Sequence, residues 1–257
     1  MNIYLAVLLA SALATLAIYK KAMTAGGVVA AWIMCIVITA LGGPAAFAIL
    51  AATFVLTVSA DRLAGKRADP NGIRRKSGAR DVSRVLCNIG FPTLAIMIFG
   101  ITGKERFIFV YAAVMAESLS DSLASKLGPL SKGRTVDICT FRDTSPGLSG
   151  GVSGAGSAAA FAGAVVIGAI SLVFEASSFK CGLLVALLGF SGCLFDSVLG
   201  SLAQVKYVCP VCGMVTERER HCGKSTVICK GFKPISNDAV NLLSNIFVFT
   251  ASMLCFK

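Results

Sequence analysis

Apolar residues fall in eight long runs, at 3–19, 24–42, 44–60, 85–101, 106–125, 149–174, 181–203 and 236–256. Most reach the ~20 residues that a helix needs to cross hydrocarbon, and the first and third are shorter. No stretch alternates with a period of two for long enough to build a barrel, so the crossing segments are helices. The pattern predicts an all-α polytopic membrane protein, a bundle of about eight transmembrane helices. It forms one domain over 1–257, with a small cytosolic Cys-rich insertion at 205–235. The first run has no small-residue cleavage site before Lys20 and Lys21 and reads as an uncleaved span, not a signal peptide.

Composition agrees with this pattern. The chain is 56% hydrophobic and 14% charged, where a soluble domain carries about 25% charge. Its net charge of +11 does not point to nucleic acid, because no basic patch is interleaved with aromatics. The basic residues instead sort by side. Alternate loops hold Lys20 and Lys21, the 62–84 group, the 126–142 group and the 206–233 group, which together make 20 of the 24 Lys and Arg. The positive-inside rule makes that side cytosolic and both termini extracytosolic. The expected location is the plasma membrane. For most of these residues topology alone accounts for the charge.

Polar clusters inside the runs collect toward the same side. Arg84 and Asn88 open the fourth run; Glu117, Asp121 and Ser125 lie late in the fifth; Gly150, Gly151 and Ser153 open the sixth. Asp196 is near the end of the seventh, and Asn237, Asp238 and Asn241 open the eighth. An ionised carboxylate near mid-helix costs about 2.5–3.5 kcal/mol to insert. Few cations lie inside the runs to offset it. Two readings remain open. One is Mg²⁺ held by Asp121, Asp196 and Asp238, with Glu117 a ligand or a supporting group. The other is neutral carboxylic acids hydrogen-bonded to Ser and Asn between helices. Gly192, Asp196 and Gly200 share a stripe, where small residues allow close helix approach.

The stretch from Thr144 to Ser153 reads as a turn followed by a helix start, where glycines let backbone N–H groups approach phosphate. It follows Lys132, Arg134 and Arg142, which strengthens the phosphate reading over simple helix packing. No GxxxxGK[ST] loop is present. The last basic loop holds Cys209-x-x-Cys212 and His221-Cys222, with Cys229 further on, a structural Zn²⁺ pattern whose fourth ligand is open between His221 and Cys229. The alternative is reduced cytosolic thiols. His221 is the only histidine, which argues against His-based acid–base chemistry.

Several segments together resemble an integral-membrane family of unknown function that includes the plant plastid phytyl-phosphate kinase and animal transmembrane protein nineteen. They are Ser77-Gly-Ala-Arg80-Asp81, Arg84-Val-Leu-Cys-Asn88, Asp121-Ser-Leu-Ala-Ser-Lys-Leu-Gly128, Ser131-Lys-Gly-Arg134, Pro146-Gly-Leu-Ser-Gly-Gly-Val-Ser153, Gly192-Cys-Leu-Phe-Asp196-Ser-Val-Leu-Gly200, His221-Cys-Gly223 and Asn237-Asp238-Ala-Val-Asn241. The D-x-x-A-S-x-x-G element is also similar to CTP-dependent polyprenol kinases and CDP-lipid synthases. The resemblance implies a Mg-dependent kinase that uses CTP, or another nucleotide, to convert an isoprenoid monophosphate of phytyl or geranylgeranyl type into the diphosphate at the cytosolic membrane face. Its catalytic carboxylates would be Asp121, Asp196, Asp238 and Glu117. Arg80, Arg84, Asn88, Lys132, Arg134, Thr144, Gly150, Gly151, Ser153, Asn237 and Asn241 would bind substrate phosphates. A lipid-phosphate cytidylyltransferase and a non-enzymatic isoprenoid-phosphate transporter are the alternatives. Lys126 and Arg84 stand where an acid and a Gln are expected, and both add positive charge near the site.

Overall fold

The computed structural model describes residues 2–65, 69, 72–73, 80–131, 133–174 and 177–256. Among them, six helices are long and apolar enough to cross a membrane, and a shorter apolar helix, α1 (Ile3–Tyr19), precedes them. Asn2 caps α1 by accepting from the Tyr4 N–H at 3.1 Å.

The second helix, α2 (Ala25–Ala64), has 40 residues. A straight helix of that length would run about 60 Å, twice the hydrocarbon thickness. It does not run straight. Gly43 has φ 75° and ψ −168°, a backbone region open essentially only to glycine, and Pro44 follows at the start of the second arm. Both ends of α2 meet at Arg80. Its carbonyl accepts from Thr24 N at 2.9 Å, and its guanidinium lies 3.5 Å from Asp61. The turn between the arms lies at the far end, where the Tyr111 hydroxyl donates to the Ala46 carbonyl at 2.7 Å. The element is therefore a helical hairpin. Counting its two arms separately, the eight expected segments are all present.

The helix α3 (Val82–Thr102) is capped by Asp81 and ends at Gly103 with φ 65°. Next comes α4 (Arg106–Leu127), the central post of the bundle, buried continuously from Phe107 to Ser120 and packed against α2, α3 and three later helices. Those are α5 (Gly154–Ser171), α6 (Phe179–Leu202) and α7 (Asn237–Cys255). At the far end, the Phe109 ring packs against Phe174 and Phe256 at centroid distances of 5.9 and 5.4 Å. Outer faces carry exposed Leu8, Ile33, Val165 and Leu187, surface that lipid would cover.

Among the described residues, strands occur only in the loops at the other, polar end. β1 (Thr135–Asp137) pairs antiparallel with β2 (Gly151–Ser153), with Val136 opposite Val152. Between α6 and α7 lie β3 (Lys206–Val208), β4 (Val215–Thr216), β5 (Arg220–His221), β6 (Lys224–Ser225) and β7 (Val227–Lys230). They form a three-stranded sheet in the order β4-β3-β7 and a β5-β6 hairpin. One expectation is corrected here. Residues 149–153 do not open a helix: Gly151–Ser153 is a strand and α5 begins at Gly154, with Ser153 as its N-cap accepting from Gly156 N at 3.2 Å.

Candidate functional site

Acids from two helices meet beside amides and hydroxyls from a third. Ser244 Oγ on α7 lies 2.7 Å from Glu117 Oε1 on α4 and 3.4 Å from Asp196 Oδ2 on α6. With its amide group turned to donate, Asn241 reaches Asp196 Oδ2 at 3.1 Å and the Asn237 carbonyl at 3.2 Å. Asn245 donates to the Asn241 carbonyl at 2.8 Å and to the Cys87 carbonyl at 3.0 Å, which ties α7 to α3. The helices come this close because Gly192 has no side chain. A Cβ there would sit 2.5 Å from Glu117 Cγ and 2.3 Å from Val248 Cγ2.

Asp121, one turn after Glu117, lies between two cavities. The smaller, about 80 Å³, is lined by Asp121, Ser125, Asp196, Asn237 and the 147–153 turn. Its size suits a phosphate group and not a nucleoside. The larger, about 650 Å³, falls in the range of ligand sites. Asp121, Ser125 and Asn237 line both. Two helix starts face these spaces: Gly156 and Ser157 of α5 line the smaller cavity, and Asn237 of α7 lines both. A helix N-terminus favours anions.

The turn that walls the small cavity is clamped from behind. Gly150 has φ 82°, and a Cβ on it would sit 2.6 Å from Ser201 N and Cα. Asp137 accepts from Ser201 Oγ at 2.7 Å and from the N–H groups of Cys139 and Thr140 at 3.0 and 2.9 Å. Burial pushes the Asp137 carboxyl up, but these hydrogen bonds and the Thr140 hydroxyl outweigh it and hold it at about 2. Glu217, between β4 and β5, accepts from Ser149 N at 2.9 Å and from Ser149 Oγ. The Gly151 N–H is bonded to the Leu148 carbonyl. Several N–H groups expected to meet phosphate are therefore already engaged, and the turn contributes chiefly its shape.

The larger cavity is lined by basic Lys20, Lys21, Arg62, Arg80, Arg84 and Lys126, by acidic Asp61, Asp69, Asp121, Asp238 and Glu217, and by apolar Leu50, Phe54, Val58, Ile89 and Met115. Some of this charge is paired. Arg84 Nε lies 3.4 Å from Asp238 Oδ1, and Lys126 pairs with Asp61. Asn88 lines the cavity and donates to the Arg84 carbonyl at 2.7 Å. Burial lowers the Arg80 pKa, and Asp61 counters it.

Other expected residues sit elsewhere. Asp238 lines only the larger cavity, and Arg134 pairs with exposed Asp143 outside both. Thr144 packs its methyl group against Gly151 behind the turn. Lys132, and the Ser77–Ala79 part of the first motif, lie outside the described residues. Sequence reasoning missed Asp61, Asp137 and Glu217. Only Asp137 had a local signal, the Asp-x-x-Thr spacing of a side chain that bonds its own following backbone.

Beyond the acids, Cys209, Cys212, His221 and Cys222 place one ligand atom each within 4.8 Å of all the others. Cys229, an expected ligand candidate, lies outside this group. Its place in β7 pairs that strand with β3, away from the two turns that carry the four.

A phosphate-sized cavity and a larger one thus share Asp121, Ser125 and Asn237 in their linings. Comparison with known proteins places the chain in context. The family described as "Integral membrane protein DUF92" matches residues 8–249. "Protein PGR" of Arabidopsis thaliana is 29% identical over 195 residues, covering 66% of this chain and 67% of that protein. "Uncharacterized membrane protein sll0875" of Synechocystis sp. is 29% identical over 193 residues, covering 73% of this chain and 74% of its own. No solved structure matches.

Proposed function

From the premise that the chain belongs to the integral membrane protein family DUF92, we propose that it is a phosphotransferase acting on an isoprenoid monophosphate, with CTP as donor and the lipid diphosphate as product. The observation that carries this reading is Asp121, which lines both cavities. A donor phosphate in the smaller chamber and an acceptor phosphate in the larger one would meet at that wall. The larger cavity suits an amphiphile: Arg80, Arg84, Lys20 and Lys21 for the phosphate, Phe54, Val58 and Ile89 for the start of the chain. The excess of Lys and Arg on this side supports a cytosolic orientation, where CTP is available.

Mg²⁺ suits the donor set. Among the described residues, no three carboxylates come within ligand distance of one another. Mg²⁺ usually binds through one or two carboxylates plus substrate phosphates. Asp121 and Asp196, both on the smaller chamber, would hold it, with the Asn237 side chain adjacent. When bound, it would neutralise charge on the donor phosphates.

The protein's own groups do the positioning. Arg80 and Arg84 hold the acceptor phosphate. The helix starts of α5 and α7 favour negative charge at the junction. An oxygen of the lipid phosphate attacks the terminal phosphorus of CTP; the bond from that phosphorus to the bridging oxygen breaks, and CDP leaves with the electron pair. The attacking group is already an anion near neutral pH. No general base is required, in keeping with a chain whose one histidine lies in the Cys-rich loop.

The test is product analysis with the full chain in lipid nanodiscs, supplied with CTP, Mg²⁺ and a C20 isoprenoid monophosphate and followed by ³¹P NMR. CDP with lipid diphosphate supports the proposal. Pyrophosphate with a CDP-lipid assigns a cytidylyltransferase instead, and no nucleotide turnover with any lipid phosphate removes the enzyme reading.

A further inference from the structure

We infer that Cys209, Cys212, His221 and Cys222 form a tetrahedral Zn²⁺ site, and that the bound ion holds Glu217 against the turn of the phosphate-sized chamber. The site stands apart from the reaction proposed above, and its test does not depend on that reaction.

The distances match those of a zinc shell. With Zn–S near 2.3 Å and Zn–N near 2.0–2.1 Å, tetrahedral ligands lie about 3.6–3.8 Å apart. Cys212 Sγ and Cys222 Sγ lie 3.5 and 3.3 Å from His221 Nδ1, and all four ligand atoms are within 4.8 Å of one another. Cys209 and Cys212 flank a tight turn closed by Gly213 N donating to the Cys209 carbonyl at 2.9 Å. His221 and Cys222 come from the second turn, the β5-β6 hairpin. Its two-residue connection, Cys222-Gly223, has φ 49° and 75°. Hairpin turns with both residues at positive φ strongly prefer Asn-Gly or Gly-Gly. A cysteine in the left-handed region is uncommon and strained, and such strain persists where a site requires it. Here it brings Cys222 Sγ to the cluster.

The surrounding strands have only two to four residues each. Strands this short need outside support, and a structural Zn²⁺ supplies folding energy directly. What the ion would organise is specific. β4 leaves the first turn and leads straight to the contacts that dock the insertion on the neighbouring loops. Thr216 Oγ1 donates to the Ile73 carbonyl at 2.7 Å, Glu217 accepts from Ser149, and Arg218 pairs with Asp69 at 2.8 Å. The ion thus braces, through Glu217, the same turn whose Gly150 packs on Ser201 of α6.

The test uses the purified full chain in detergent. Elemental analysis is expected to find about one zinc per chain. Replacement by Co²⁺ is expected to give the visible d–d bands of tetrahedral thiolate coordination. Cys212→Ser and Cys222→Ser weaken those bands and lower metal content, whereas Cys229→Ser leaves both unchanged. Absence of zinc together with absence of the Co²⁺ bands overturns the site. So does a Cys209–Cys212 disulfide found by alkylation and mass spectrometry. Equal metal loss in Cys229→Ser and Cys212→Ser overturns the ligand set. Expected alongside is faster hydrogen exchange over 147–153 after zinc removal; unchanged exchange overturns the role given to Glu217.

Discussion

Two glycines four residues apart should respond to alanine in opposite directions. Gly150 adopts φ 82°, and a Cβ there would lie 2.6 Å from the backbone N and Cα of Ser201. The left-handed conformation costs an alanine about 1–2 kcal/mol. Overpacking against backbone, which cannot rotate aside, adds about 1–3 kcal/mol. Together that is about 2–5 kcal/mol, at least a 25-fold fall in the docked form of the turn at 1.4 kcal/mol per decade. Gly154 is the first residue of α5, and a Cβ there meets nothing within 4 Å. Alanine in a helix gains up to about 1 kcal/mol over glycine. Hydrogen exchange with mass spectrometry on the full chain reads the difference. Gly150→Ala should speed exchange over 145–153 and lower the thermal midpoint, and Gly154→Ala should do neither. If Gly150→Ala keeps full protection of that segment, the turn is not held against α6 as described.

Other expectations follow from single contacts. Glu217→Gln keeps the shape but weakens the bonds from Ser149 N and Oγ; a loss of about 1–2 kcal/mol is expected, read as faster exchange at 147–151 with the bundle helices unchanged. Asp137 has its carboxyl lowered from 3.8 to about 2, so its stabilising contribution is present above pH 4 and fades as pH falls toward 2. The thermal midpoint of the parent protein should exceed that of Asp137→Asn at pH 6, with the gap narrowing below pH 4; a constant gap contradicts the assignment. Tyr111→Phe removes the bond to the Ala46 carbonyl and should cost about 0.5–1.5 kcal/mol without altering any lipid or nucleotide response.

Much of the bundle is visible in the apolar pattern because membrane helices are specified locally: ~20 apolar residues and a break suffice. Gly43-Pro44 illustrates this. The gap between the second and third runs is a single residue, yet it separates two antiparallel arms, since glycine permits the reversal and proline starts the next helix. The gathering of acids at one end is legible for a similar reason. Asp121, Asp196 and Asn237 all fall toward the basic-side ends of runs of known direction. Contacts between loops are not legible in this way. The β1-β2 pairing joins residues sixteen or so apart with three-residue strands, too short to show a period. Glu217 reaches Ser149 across 68 residues, and nothing near either position announces it. The hairpin turn that brings Cys222 Sγ to Cys209 and Cys212, and leaves Cys229 in a neighbouring strand, depends on a φ angle that cysteine rarely adopts. The ion pairs Arg84–Asp238 and Lys126–Asp61 likewise arise only when helix starts and ends are brought together.

The central claim is that Asp121 and Asp196 hold a divalent cation together with nucleotide phosphate. Electron paramagnetic resonance with Mn²⁺ in place of Mg²⁺ measures this directly on the full chain in nanodiscs with CTP. A protein-bound Mn²⁺ signal that appears with CTP and is lost in both Asp121→Asn and Asp196→Asn is the predicted result. Bound Mn²⁺ that persists undiminished in both variants, or no bound Mn²⁺ in the parent protein, would mean that these acids serve only as hydrogen-bonding partners between helices.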